Sequence, residues 1–252
     1  MLLKIAHICF CGEPAKTKLL LETVGYSALF STRLRPMKIT QQLLSNPVEN
    51  FKMSFWQRPN SISIELLEFD SYSLKCGLIK PVFSGESYEL IAKKNETLIS
   101  NFVNYKTGIF LGTKVYYDTS KQGESFSFSS LLLISNNLND SITFWNALGF
   151  RCVKRYDKEA LLEFSCLFKG NISIHLVCND VNQILFEDID STGFHVLAFI
   201  SNSTTQEWKK MKKSGFDLTD IEQIKLNNII MDIFYLRSPE GLIIEIISLV
   251  NS

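Results

Sequence analysis

Three stretches of this 252-residue chain repeat one plan, and a repeat constrains the fold before any single residue does. Each stretch opens with a short apolar strand: Lys4 to Phe10, Phe128 to Ile134, and Gly193 to Ile200. Each strand runs through a polar turn into a helix-like segment that stops at a glycine followed by an aromatic: Gly25-Tyr26, Gly149-Phe150 and Gly215-Phe216. Glycine suits that place because the residue after a helix often takes a positive φ. The helical segments read as amphipathic, with Leu19, Leu20 and Val24, then Ile142, Trp145 and Leu148, then Trp208 and Met211 at helical intervals. Asn139 and Asp140 before Ser141, and Ser203 with Thr204 and Thr205, supply N-cap chemistry. Each stretch then closes on a β-rich run behind a turn: Ser61 to Leu67, Ile172 to Val177, and Leu242 to Ile247.

The plan predicts an α+β chain of tandem βαβββ modules. The first module covers 3–69, and the last two cover 124–180 and 190–250. The span 70–122 shows the plan poorly, with β-like stretches at Leu78 to Phe83 and Gly108 to Tyr117 around a mixed segment from Tyr88 to Phe102. It is read as a degenerate second module or an insertion. Two modules per domain give an N-terminal domain of 1–122 and a C-terminal domain of 123–252, with Gly123 marking the linker.

Lys plus Arg and Asp plus Glu number 26 each, so no excess charge draws the chain to a nucleic acid or an acidic membrane. The 46% hydrophobic content suffices for a large core, but no run approaches the roughly 18 apolar residues of a membrane span. The apolar start is too short for a secretory segment. Six cysteines are too sparse for a disulfide scaffold and read as reduced core residues of a cytoplasmic protein, and Cys9-x-Cys11 lacks the second pair of a zinc knuckle. The Lys209, Lys210, Lys212 and Lys213 cluster reads as the solvated face of a helix, while Phe126, Phe128, Tyr116, Tyr117 and Tyr235 are candidates to line an apolar pocket.

The chain has three histidines, and all fall on the repeated strands. Opening strands contribute His7, Ser130 and His195, while closing strands place Glu65, His175 and Glu245 at one equivalent position. If opening and closing strands lie side by side, the first module offers His7 with Glu65, and the last two together offer Ser130, His175, His195 and Glu245. Two imidazoles and a carboxylate meeting in a cup form a ligand set for iron, manganese or related divalent ions. Taken singly, His7 reads as well as a buried imidazole bonded to a carbonyl, and Glu65 or Glu245 as a solvated strand residue.

The stretch Leu131 to Phe150, ending in Leu148-Gly149-Phe150, resembles the opening strand, loop and helix of the vicinal oxygen chelate superfamily of glyoxalases, extradiol dioxygenases and bleomycin-resistance proteins. The tail Tyr235 to Ile246, with its Pro239-Glu240-Gly241 turn ahead of Glu245, is similar to that family's terminal turn and strand. The resemblance implies paired modules forming curved mixed sheets around a metal, with helices on the outer face. It also implies a divalent ion (Fe, Mn, Zn or Ni) held by His175, His195 and Glu245, and His7 with Glu65 as the matching pair of the first domain. A serine at 130, where a ligand is usual, leaves a three-ligand site or one without metal. Glu245 or Glu65 would act as a catalytic base in lyase, isomerase or dioxygenase chemistry on a small molecule with vicinal oxygens. The alternative is a metal-free small-molecule-binding or resistance protein of the same fold. The partners expected are a small-molecule substrate or ligand, with a homodimer left open, and neither nucleic acid nor membrane.

Overall fold

The computed structural model of the chain describes residues 1–12, 14–59, 61–70, 73–76, 80–84, 97–99, 104–110, 113–118, 127–164, 172–178, 188–226 and 228–250. The first repeat folds as β1 (Leu2–Cys11), α1 (Pro14–Thr23), β2 (Ser27–Leu34), the one-turn helix α2 (Lys38–Gln41), β3 (Phe51–Gln57) and β4 (Ser63–Glu68). The middle of the chain supplies β5 (Ser73–Cys76), β6 (Lys80–Ser84), β7 (Thr97–Ile99), β8 (Asn104–Phe110) and β9 (Thr113–Asp118). The next repeat is β10 (Ser127–Ser135), α3 (Leu138–Ala147), β11 (Arg151–Arg155), β12 (Glu159–Phe164) and β13 (Ile172–Cys178). The last is β14 (Ser191–Ser201), α4 (Thr204–Lys213), β15 (Glu222–Leu226), β16 (Ile229–Arg237) and β17 (Ile243–Leu249).

In each repeat the opening strand lies parallel to the closing one: β1 with β4, β10 with β13, and β14 with β17. The middle segment obeys the same rule, since β6 is parallel to β9 and the order β6-β9-β8-β7 matches β1-β4-β3-β2. A fourth copy of the strand plan therefore sits where the sequence shows it only poorly, because strand pairing is made by the backbone and survives drift of the side chains. The β-like stretch Gly108 to Tyr117 spans two antiparallel strands, β8 and β9, whose pairing runs as far as Phe110 with Thr113.

The copies pair outer with outer and inner with inner. β1 runs antiparallel to β14 and joins the first and last copies in a nine-stranded sheet, β15-β16-β17-β14-β1-β4-β3-β2 with β5 beside β14. β10 runs antiparallel to β6 and joins the third and second in an eight-stranded sheet, β11-β12-β13-β10-β6-β9-β8-β7. Each curled mixed sheet thus draws strands from both sides of residue 122.

Alternation sends Phe10, Leu66, Leu197 and Ile246 toward the helices, where Leu21, Trp145 and Met211 complete a core shared by both sheets. Phe150 and Phe164 of one side meet Phe199 of the other at 6.2 and 5.8 Å between ring centres. Truncating one such ring costs about 3–5 kcal/mol. Gly25, Gly149 and Gly215 end the helices at φ of 84°, 96° and 80°, as their repeat positions require. Helix α3 starts earlier than its expected cap: Asn137 accepts the amides of Asn139 and Asp140 at 3.0 and 3.4 Å. Ser203 caps α4 through the Gln206 amide at 3.3 Å, and the four clustered lysines on α4 are exposed. In α1 the buried side chains include Thr17 and Leu21, with Val24 buried just past the helix end, while Leu19 is 67% exposed. Among the described residues no helix is long and apolar enough to cross a membrane.

Candidate functional site

The opposite, concave face of the nine-stranded sheet is where polar side chains gather. Parallel pairing sets Cys9 opposite Glu65 and Ala198 opposite Glu245, and the seam between β1 and β14 sets His7 opposite Ala198 and Cys9 opposite Val196. With side chains alternating along each strand, His7, Glu65, Val196 and Glu245 face one point. His7 Nε2 lies 3.2 Å from Glu65 Oε2 and 3.3 Å from Glu245 Oε2. One donor atom from each of the three residues falls within 4.8 Å of the others. They stand in the wall of a cavity of about 270 Å³ whose other lining is mostly apolar.

Burial alone would depress the His7 imidazole, but the adjoining Glu65 and Glu245 carboxylates override it and raise its pKa to about 10. Burial likewise works to raise the Glu65 carboxyl, yet the His7 charge beside it and the Cys9 thiol, which donates to it, hold it below its usual range. Tyr235 donates its hydroxyl to Glu245 Oε1 at 3.1 Å, and burial keeps that phenol protonated far above its usual range. The His7 and Phe55 rings pack nearly perpendicular to one another, 5.4 Å between their centres. An imidazole and two carboxylates converging in a sheltered pocket suit a divalent ion with nitrogen and oxygen preferences, and that donor set fits the ion implied by the sequence.

One side of the cavity is closed by the connection from β2 to β3, which brings Arg35, Met37 and Thr40 to the wall. Glu222 of β15 pins it by accepting the Lys38 and Ile39 amides at 3.3 and 3.0 Å. Asp190 pins its far end by accepting the Ser45 amide at 2.9 Å and the Ser45 hydroxyl.

The expected grouping of His175 and His195 with Glu245 is corrected: only Glu245 belongs to this cluster. His175 is on β13 in the other sheet, in register with Leu132, and its Nε2 lies 3.3 Å from Glu159 Oε2. Burial pushes its pKa down. His195 misses the site by one residue. Between the pairs Cys9 with Val196 and Phe10 with Phe194 it is the extra residue of a β-bulge, beside Gly193 at a φ of 98°. Its Nδ1 donates to the Gly193 carbonyl at 3.0 Å, burial lowers its pKa to about 4, and it does not line the cavity. A one-residue slip exchanges the faces of a strand, so Val196 takes the place that simple alignment of the repeats gives to His195. In the eight-stranded sheet the register counterparts of His7, Glu65, Val196 and Glu245 are Lys80, Tyr116, Ser130 and His175.

Of the aromatic pocket candidates, Tyr235 lines the cavity; Phe126 and the side chains of Tyr116, Tyr117 and Phe128 lie outside the described residues. Sequence reasoning passed over two contributors. Cys9, read as core, is two residues after His7 on the same strand face. Val196 carries no chemical signal of its own and is found only through the strand register.

No protein-family model and no curated protein matches the chain in sequence. Solved structures do match in shape. Glyoxalase I from Zea mays superposes with a TM-score of 0.65 at 13% identity, over 97% of this chain and 92% of that one. A protein provisionally assigned as a dioxygenase from Bacillus subtilis superposes with a TM-score of 0.64 at 13% identity, over 98% and 85%. With its four copies of one strand plan and its two curled sheets, the chain has the vicinal oxygen chelate fold.

Proposed function

We propose that the chain is a divalent-metal-dependent enzyme acting on a small molecule with two neighbouring oxygens, in lyase, isomerase or dioxygenase chemistry. The observation that carries this reading is the meeting of His7, Glu65 and Glu245 at the cavity wall. His7 Nε2 and one oxygen from each carboxylate would hold the ion. Bound there, a divalent ion supplies Lewis acidity toward a chelating oxygen pair. Tyr235 orients Glu245, and Cys9 orients Glu65. A carboxylate oxygen turned from the ion would take a proton beside a substrate carbonyl, in Glu65 or Glu245. The apolar wall excludes water from the reacting atoms. Free thiols at Cys9 and Cys11 fit a reducing, cytoplasmic setting.

A second reading, a metal-free binder of the same fold, is favoured by how much of the cavity is apolar. Thermal-shift measurements on chelator-treated protein separate the two. Stabilisation by Mn, Fe, Zn or Ni that is lost in Glu245→Gln supports the enzyme; stabilisation by apolar compounds with no response to any ion supports the binder.

A further inference from the structure

A second pocket, of about 220 Å³, lies beyond the end of β15, where the segment leading out of α4 takes over as the neighbour of β16. There Leu218 bridges to Leu236, and Thr219 donates its amide to the Tyr235 carbonyl at 3.0 Å and accepts the Tyr235 amide on its hydroxyl at 2.9 Å. Gln42 and Leu43, just past α2 in the cover of the main cavity, complete the lining. Tyr235 is the one described residue that lines both spaces. The two differ in kind. The main cavity is mostly apolar, whereas here Asp217 and Arg237 bring opposite charges to one small space, and the Gln42 amide offers both a donor and an acceptor. Asp217 is exposed. Arg237 is half-buried, with its Nη2 3.9 Å from Asp188 Oδ1 and its Nη1 donating to the Gly241 carbonyl at 3.5 Å. A guanidinium presents five donors in a planar fork, so it can hold Asp188 and a second carboxylate together. A simple anion in this space meets the Asp217 charge and a simple cation meets the Arg237 charge, while a small molecule bearing both signs satisfies both walls.

We propose that this pocket binds a small zwitterion of the α-amino acid class, with its ammonium toward Asp217 and its carboxylate toward Arg237, and that its occupation holds the cover of the main cavity closed. Leu43 ties the cover to the segment before β14 through its carbonyl, which accepts the Ile189 amide at 2.7 Å. Tyr235, on the opposite side of the small pocket's lining, presents its hydroxyl to Glu245. A molecule touching Gln42, Leu43 and β16 at once fastens the cover to the strand that carries Tyr235. It shifts the cover only by binding the closed arrangement better than the open one. The site needs no metal, so it stands or fails separately from the centre at His7, Glu65 and Glu245.

The test uses the chelator-treated full chain, so that no amino acid can chelate an ion in the main cavity. The common L-amino acids are screened by ligand-observed NMR, and the tightest binder is titrated by calorimetry beside its deaminated and decarboxylated analogues; for L-valine these are 3-methylbutanoate and 2-methylpropylamine. The expectation is a dissociation constant of about 1 mM or below for the amino acid, and binding roughly tenfold or more weaker for each analogue, as loss of a charge-assisted hydrogen bond requires. Asp217→Asn, a change of equal size at an exposed position, should keep the natural melting temperature and weaken the amino acid roughly tenfold or more. Supplied at about ten times its dissociation constant, the amino acid should slow hydrogen exchange at residues 38–44 roughly tenfold in the natural chain, because it binds the closed cover. No binding by any of the amino acids, analogues that bind as well as the zwitterion, or full affinity in Asp217→Asn overturns the site. Binding that leaves exchange at residues 38–44 unchanged overturns its hold on the cover.

Discussion

At the scale of residues the site turns on His7. Its imidazole touches both carboxylates, and removing it leaves Glu65 and Glu245 facing one another without that positive charge between them. His7→Ala is expected to destabilise the metal-free protein by about 3–5 kcal/mol in denaturant titrations, the usual cost of breaking a buried pair. The pH dependence follows from the direction of its shift. Its folded pKa of about 10 stands above the ordinary 6.5, so the protonated imidazole contributes stability that is complete below pH 6.5 and is lost as pH rises through 10. The melting temperature of the metal-free protein should fall across that window, and His7→Gln should flatten the fall. Metal uptake near pH 8 should release about one proton per ion, measurable by calorimetry in buffers of different ionisation enthalpy. No such release, with unchanged stability from pH 6.5 to 10, would show that His7 is not charged in the folded state.

At the scale of elements, two contacts hold parts that the strands alone do not. Glu222 reaches from β15 to the first amides of α2 and ties the cavity's cover to the last module. Glu222→Gln is expected to speed hydrogen exchange at residues 38–44 by tenfold or more while leaving the melting temperature nearly unchanged; unchanged exchange would show that the cover is held by its apolar contacts alone. Glu240, in the turn before β17, is buried beside Ser141, Ser238 and Trp145, and burial raises its carboxyl. A raised acid favours the fold at low pH and opposes it once the proton is lost. Glu240→Gln should therefore melt above the natural protein at pH 8, with the difference closing toward pH 4; a difference constant with pH would contradict this. Elements are also where the sequence was most readable. Helix ends marked by Gly25, Gly149 and Gly215, the Ser203 cap and the closing strands carry their signals locally. The bulge at His195 does not, because its extra residue is defined only by what β1 places opposite it.

At the scale of the whole molecule, the pairing of outer with outer modules decides what the site contains. Nearness in the chain suggests a triplet of His175, His195 and Glu245. The β1 and β14 seam instead joins residue 7 to residue 245, a long-range contact to which no local pattern points. The matching pair His7 and Glu65 was legible because both lie in one module; its third member was not. One consequence is that a fragment of residues 123–252 lacks two of the three donors and leaves β14 without β1. It should bind no divalent ion and should expose the apolar edge of its sheet, seen as aggregation in light scattering; a monodisperse, metal-binding fragment would contradict the pairing.

The most direct measurement is a divalent-ion titration of the chelator-treated chain beside Glu65→Gln and His175→Gln, both of which preserve side-chain size. One ion per chain in the natural protein and in His175→Gln, with affinity reduced a hundredfold or more in Glu65→Gln, is the predicted result. Full affinity in Glu65→Gln, or its loss in His175→Gln, would contradict a centre built from His7, Glu65 and Glu245.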